Sequence, residues 1–251
     1  MLVLPWHIFD SLADGLNITL PHDAQVIDAT PAREGEPWRR LAQLYEPVAA
    51  AVAAAATPQL VLSGDCVTPL AVLAGVQRRH VDPALVWFDA HGDFHTEQST
   101  TSGYLGGLPL AKAVGRGDMT LPTALGLTPL VEERVLLVDA RDLDPGEIAA
   151  LTTSSVRRST VQDAANTLPA GPVHLHIDVD VLDSALLPGL RFPVGDGPGV
   201  SALSTAVRQI VSARELVGLS IGATWRPGDT DRTRNDACLT AILAAVHGVV
   251  S

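Results

Sequence analysis

Short apolar runs rich in valine, leucine and isoleucine recur along the chain and alternate with longer alanine- and leucine-rich stretches, the spacing expected of βα units that feed a parallel sheet. The short runs predict strands at 25–27, 59–62, 85–88, 134–138, 173–178 and 216–221. The longer stretches predict helices at 38–56, 202–213 and 236–249. Two segments lack this periodicity. Residues 96–108 are rich in Thr, Ser and Gly, and residues 188–199 hold three prolines and four glycines. Both read as loops, and each follows a strand that ends in acidic residues. They therefore fall on the side where open α/β sheets bind ligands, where they line or cover a site. No internal repeat is present, and neither segment reads as a domain linker.

The candidate chemistry stands at the ends of two of those strands. Ala84-Leu85-Val86-Trp87-Phe88 runs into Asp89-Ala90-His91-Gly92-Asp93. Val173-His174-Leu175-His176-Ile177 runs into Asp178-Val179-Asp180-Val181-Leu182-Asp183. Carboxylates at the C-terminal ends of parallel strands sit where such sheets place ligands, and four of them with a histidine neutralise two divalent cations. Each cluster alone has a plainer reading, because Asp-x-Asp after a strand often caps a loop and a lone histidine is often a satisfied core residue. Together they outline a two-metal hydrolase. His174 and His176 share strand parity with Asp178, and a core or supporting role is expected of both.

Bulk properties narrow this picture without redirecting it. A chain of 251 residues, 47% hydrophobic and 18% charged, is long enough for one large α/β core. Its formal net charge of -11 argues against binding along a nucleic-acid backbone and fits a small or cationic substrate. Only Cys66 and Cys238 are available as thiols, and Cys238 lies in an alanine-rich stretch that reads as packing. The start Met1-Leu2-Val3-Leu4-Pro5-Trp6 lacks a basic region followed by a sustained apolar run, so the expected compartment is the cytoplasm, with no membrane partner.

These blocks, in this order, resemble the ureohydrolases, the superfamily of arginase, agmatinase and formiminoglutamase. Ser63-Gly64-Asp65-Cys66 resembles that family's Gly-Gly-Asp-His, Asp89 to Asp93 its Asp-Ala-His-x-Asp, and Asp178 to Asp183 its Asp-x-Asp-x-x-Asp. Thr100-Thr101-Ser102-Gly103-Tyr104-Leu105 and the stretch from Arg141 to Glu147 also resemble arginase segments, so the likeness covers roughly residues 60–235, and the first 55 residues add little to it. The resemblance implies a single arginase-like domain over 1–251, three-layer α/β/α with a mostly parallel central sheet. It also implies two manganese ions held by Cys66, Asp89, His91, Asp93, Asp178 and Asp180, with Asp89 and Asp178 as the bridging carboxylates. The resemblance further implies that Asp93 is the catalytic positioning residue, which would accept a hydrogen bond from the attacking hydroxide. Ser102 and Asp144 correspond to residues that hold an amino-acid head group, and His95, which replaces an asparagine there, can still donate to a carboxylate. Asp144 also fits an N-cap, with Pro145 at the first helical position. Asp65 and Asp183 are expected to brace loops.

The chain departs from that family at three positions. Cys66 replaces a metal-binding histidine, which leaves open either a thiolate ligand, with zinc or iron as other metals, or a small buried thiol. Gly106 falls where arginase carries a histidine that handles a proton. Ala223 stands in place of a glutamate that binds the guanidinium, with Trp225 nearby either stacking on a planar group or simply packing. Cys66 and Leu105-Gly106-Gly107 together resemble the branch that hydrolyses N-omega-hydroxy-L-arginine. The expected activity is hydrolysis of a carbon–nitrogen bond in a guanidino or amidine amino-acid derivative. N-omega-hydroxy-L-arginine or L-arginine would give L-ornithine and a urea-type product. The contrasting expectation is a catalytically silent or regulatory relative. The partner is a small molecule, not nucleic acid, and the family habit of trimers or hexamers makes a homo-oligomer an open expectation.

Overall fold

Strand runs that are apolar at every position, instead of at alternate ones, need cover on both sheet faces. The segments Leu60–Ser63, Ala84–Asp89, Val173–Asp178 and Leu216–Gly222 are buried along their whole lengths. The computed structural model, which describes residues 1–12, 16–226, 228 and 231–246, places them side by side in an eight-stranded sheet. In chain order the strands are β1 (Leu2–Leu4), β2 (Trp6–His7), β3 (Asp10–Ser11), β4 (Gln25–Val26), β5 (Leu60–Ser63), β6 (Ala84–Asp89), β7 (Val135–Asp139), β8 (Arg157–Ser159), β9 (Val173–Asp178) and β10 (Leu216–Gly222). The sheet order is β4-β1-β5-β10-β9-β6-β7-β8 with every pair parallel, while β2 and β3 form a separate antiparallel hairpin.

The helices are α1 (Pro37–Ala54), α2 (Thr68–Arg78), α3 (Pro109–Ala113), α4 (Thr120–Ala124), α5 (Pro145–Thr152), α6 (Val200–Ala213) and α7 (Arg232–Ala244). Trp38, Leu41 and Leu44 of α1 join Leu70 and Leu73 of α2 in one core, over Val61, Leu85, Trp87 and Leu137 of the sheet. Leu203, Val207 and Ile210 of α6 and Ile242 of α7 cover the other face, over Leu62, Val86, Phe88 and Leu175. Successive residues of one strand thus enter opposite cores, as the period of two requires. The result is the three-layer α/β/α architecture expected from the sequence, with a central sheet that is wholly parallel.

The predicted strands and helices all form, with ends shifted by a few residues. The helix predicted at 236–249 begins earlier, at Arg232, because the Asp231 side chain accepts from the Arg234 amide and caps it. Its predicted residues 247–249 lie outside the described residues. Helix α2 escaped the sequence pattern because its residues from Thr68 to Val76 are all buried, which leaves no polar face to mark a helical period. Among the described residues, no helix is long and apolar enough to cross a membrane.

Sheet order brings the site together. β9 and β6 are neighbours, and their register pairs Phe88 with Ile177, one residue before the acidic end of each strand. Cys66 follows β5, which is separated from β9 by β10. The thiol crosses that gap because β10 ends in Gly222, where a Cβ would stand 2.9 Å from the Cys66 Sγ.

Candidate metal centre and substrate pocket

At the C-terminal ends of these strands, four aspartates are at least nine-tenths buried: Asp89, Asp93, Asp178 and Asp180. Ligand atoms of Cys66, Asp89 and Asp93 lie within 4.8 Å of one another, and so do those of Asp89, His91 and Asp180. Asp178 lies outside both triplets but adjoins them. Its Oδ2 accepts from the Cys66 Sγ at 2.7 Å and its Oδ1 from the Asp180 amide at 2.8 Å. His91 Nδ1 is 3.2 Å from Asp89 Oδ1 and 3.1 Å from Asp180 Oδ2. All six residues expected from the sequence to hold metal therefore meet in one place.

Their electrostatics describe an excess of negative charge without enough positive charge to balance it. Burial, then the fields of Asp89 and neighbouring carboxylates, raises Asp93 well above the ordinary carboxylate range. Burial and the charges of Asp180 and Asp89 do the same to Asp178, and burial with Asp89 raises Asp180 to about 7. Asp89 goes the other way: burial works against its charge, but the hydrogen bonds and charge of His91 outweigh it. For His91, burial is outweighed by the hydrogen bonds to Asp180 and Asp89, which push it up to about 12. Burial, then Asp178, Asp93 and Asp89, holds Cys66 as a thiol. Two like charges about 4 Å apart repel by about 4 kcal/mol at an effective dielectric of about 20, so one imidazolium is a poor match for four carboxylates. Asp93 Oδ2 is buried with no hydrogen-bond partner among the described residues. An orphaned carboxylate oxygen, crowded acidic neighbours and a buried thiol, which a cation would have to deprotonate to bind, form a donor set that fits a pair of divalent cations.

The supporting structure is built from backbone and arginine. Arg141 pairs with Asp139 and donates to the carbonyls of Val181, Asp180, Leu182, Val194 and Gly195, so one guanidinium ties the acidic loop after β9 to segment 188–199. Gly197 permits this approach, since a Cβ there would stand 2.6 Å from Arg141 Nη2. Asp183 braces the same loop by accepting from the Ala185 and Gly197 amides. Asp65 is fully buried and accepts from Ile8, Val67 and Thr68 amides and the Tyr45 and Thr68 hydroxyls, fastening the β2–β3 hairpin to the start of α2. Below the centre, the Ser220 hydroxyl bridges His174 Nε2 and His176 Nδ1, each at 2.9 Å. Burial lowers both rings to about 3, so they are neutral core residues, in line with the parity argument.

A cavity of about 230 Å³ opens over the acidic cluster and is also lined by His95, Ser102, Asp144 and Glu147. His95 Nε2 lies 3.1 Å from Asp144 Oδ2, and Asp144 forms a capping box with Glu147 at the start of α5. The two readings of Asp144 thus coexist: it caps a helix and faces the pocket. Both irregular segments contribute walls, Tyr104, Gly106 and Gly107 from one and Phe192 from the other. Ala223 does not line this cavity; it is buried in the α6/α7 core, and Thr224 lines the pocket instead. Trp225 packs against that same core, so the aromatic surfaces facing the cavity are Tyr104 and Phe192. Sequence reasoning passed over both, along with His7, whose Nε2 lies 2.9 Å from the Tyr104 hydroxyl. The first 55 residues therefore contribute to the site after all.

Residues 9–245 match the sequence profile of the Arginase family. The chain belongs to the arginase family. This arginase-family chain is 34% identical over 178 residues to the N(omega)-hydroxy-L-arginine amidinohydrolase of Streptomyces lavendulae, over 69% of its own length and 63% of the relative's. It is 33% identical over 152 residues to the arginase of Bacillus subtilis, covering 55% of this chain and 51% of that one. The solved arginase from Bacillus caldovelox superposes with a TM-score of 0.79 at 26% identity, covering 90% of this chain and 85% of that chain. The chain spans about half to two thirds of the length of the curated relatives it matches.

Proposed function

We propose that this arginase-family protein is a dinuclear-metal amidinohydrolase acting on a guanidino amino acid, N-omega-hydroxy-L-arginine or L-arginine, to give L-ornithine and a urea-type product. The observation that carries this reading is the convergence of Cys66, Asp89, His91, Asp93, Asp178 and Asp180 at the ends of β5, β6 and β9 beneath one cavity. Cys66, Asp89 and Asp93 would hold one cation, and Asp89, His91 and Asp180 the other, with Asp178 completing the shell. Manganese suits the carboxylates, and the thiol widens the choice toward zinc. A pair of divalent cations, when bound, supplies an activated water at neutral pH and positive charge at the attacked carbon.

The chain's own residues supply position. Asp93 presents an oxygen without a protein partner and is suited to orient the attacking water. His95, Ser102 and Asp144 lie on the pocket wall and can bind the ammonium and carboxylate of an amino-acid substrate. Thr224 and the Tyr104–Phe192 wall would receive the planar guanidino group in the absence of a carboxylate from the end of β10. That loss favours a second reading, a metal-binding relative without turnover. A free thiol at the site suits a reducing compartment such as the cytoplasm.

The test is product formation from N-omega-hydroxy-L-arginine, L-arginine, agmatine and formiminoglutamate by manganese-reconstituted protein with its bound metal quantified. Ornithine from either of the first two substrates supports the proposal. Silence on all four, with two metals bound, supports the second reading.

A further inference from the structure

Gly106 and Tyr104 compete for one space. A Cβ on Gly106 would stand 2.4 Å from the Tyr104 Cζ and 2.5 Å from its hydroxyl oxygen, well inside contact distance. The phenol therefore fills the room that a side chain at 106 would need. Two aromatic neighbours hold it there: Phe192 at 5.1 Å between centroids and the His7 ring stacked at 5.9 Å. His7 is itself delivered by the β2–β3 hairpin, which is clamped by the Gly64 amide on Trp6 O at 3.0 Å and the Ile8 amide on Asp65 Oδ2 at 2.9 Å.

The direction of the hydrogen bonds follows from donor capacity. Arg191 Nη1 lies 3.0 Å from His7 Nδ1, and a guanidinium only donates, so Nδ1 is the acceptor nitrogen of a neutral ring. Burial, aided by Arg191 and opposed by Asp65 and Asp10, lowers the His7 pKa and keeps the ring neutral. The remaining ring proton is then on Nε2, which donates to the Tyr104 hydroxyl at 2.9 Å. With its oxygen already accepting, Tyr104 has its own O–H free to point into the cavity it lines. Burial and the fields of Cys66, Asp65, Asp93 and Asp178 keep that hydroxyl protonated far above the ordinary phenol range.

We propose that Tyr104 is a catalytic hydrogen-bond donor to the nitrogen that leaves the guanidino carbon, and that His7 and Arg191 are positioning residues that aim its proton. The inference rests on the amidinohydrolase reading and adds a donor at the place where Gly106 offers none. As the carbon–nitrogen bond breaks, its electron pair goes to the departing nitrogen, and the proton that neutralises the amine originates on the attacking water. Tyr104 remains a phenol and stabilises the developing charge through its hydrogen bond.

Tyr104→Phe keeps the ring and removes the donor. On the better of the two arginine substrates, kcat should fall about a hundredfold with KM, bound metal and ornithine affinity unchanged. The loss should shrink on an N-aryl guanidine, whose departing aniline is a much weaker base and needs less help. His7→Gln presents one acceptor and one donor and should retain more turnover than His7→Leu, which presents neither. Tyr104→Phe turnover within twofold of the unsubstituted protein, or equal losses on both leaving groups, would overturn the proposal. If Tyr104→Phe loses metal or folded structure, the two folded His7 variants decide, and equal turnover between them counts against it. Failure of the amidinohydrolase reading looks different: the unsubstituted protein itself then turns over none of these substrates.

Discussion

The two halves of the site differ in how they are held. The metal-facing half is assembled from the ends of adjacent parallel strands, so the register of β6 and β9 brings Asp89 and Asp178 together. The facing wall is assembled from separate excursions: His7 from the hairpin, Tyr104 from one long loop, Phe192 and Arg191 from another. Its members meet through contacts spanning 97 and 184 residues of sequence. A strand-end cluster cannot change without disturbing the sheet core, whereas a loop wall can exchange side chains while the sheet stays intact. Of the three departures from the family pattern expected from the sequence, Gly106 lines the wall, Cys66 joins the metal-facing half, and Ala223 lies in the core beside Thr224.

This division predicts which half each change will affect. The largest effect belongs to Asp178→Ala, which removes the acceptor beside Cys66 and should abolish both metal retention and turnover, read by elemental analysis and product assay. Full metal content in that variant would undo the ligand assignment. Next is Gly106→Ala, whose Cβ collides with the Tyr104 ring. It should cost up to about a hundredfold in kcat through a misplaced wall, with metal content intact. A loss of metal there would erase the distinction between the halves. Gly222→Ala is smaller and falls on the other half: its Cβ would crowd the Cys66 Sγ and weaken metal affinity about tenfold by titration, leaving the fold unchanged by circular dichroism.

The smallest effect is a pH dependence set beneath both halves. His174 and His176 are held neutral at about 3, against 6.5 for an ordinary histidine. Below pH 6.5 the unfolded chain takes up protons that the folded chain does not, so the stability these rings contribute is complete above pH 6.5 and drains as pH falls toward 3. Thermal melts across that window should show a gentler acid slope for His174→Gln than for the unsubstituted protein. Identical slopes would contradict neutral burial.

The same division explains what was legible in the sequence. Sheet, layers and acidic cluster could be read because each rests on local pattern: apolar runs, parity, and carboxylates immediately after a strand. Helix α2 was invisible because burial on every side erased its period. Asp144 could be read from its own neighbours, since a capping box spans only Asp144 to Glu147. His7 and Phe192 could not, because what brings them to the pocket is the clamp at Asp65 and the Arg141 ties, and no short-range signal encodes either. At the end of β10 the expectation fell on Ala223, but the side chain facing the cavity is its neighbour Thr224. A residue absent from a pattern points to a gap without saying what fills it, and here that information lay in the approach of Tyr104 to Gly106.

The claim on which all of this depends is that the buried carboxylates exist to hold a metal pair. The most direct measurement is the number of manganese ions retained per chain after reconstitution and desalting, in the unsubstituted protein and in Asp89→Ala. The account predicts two ions per chain in the first and at most one in the second, because Asp89 belongs to both ligand triplets. An unsubstituted protein that retains none, or an Asp89→Ala variant that still retains two, would contradict it.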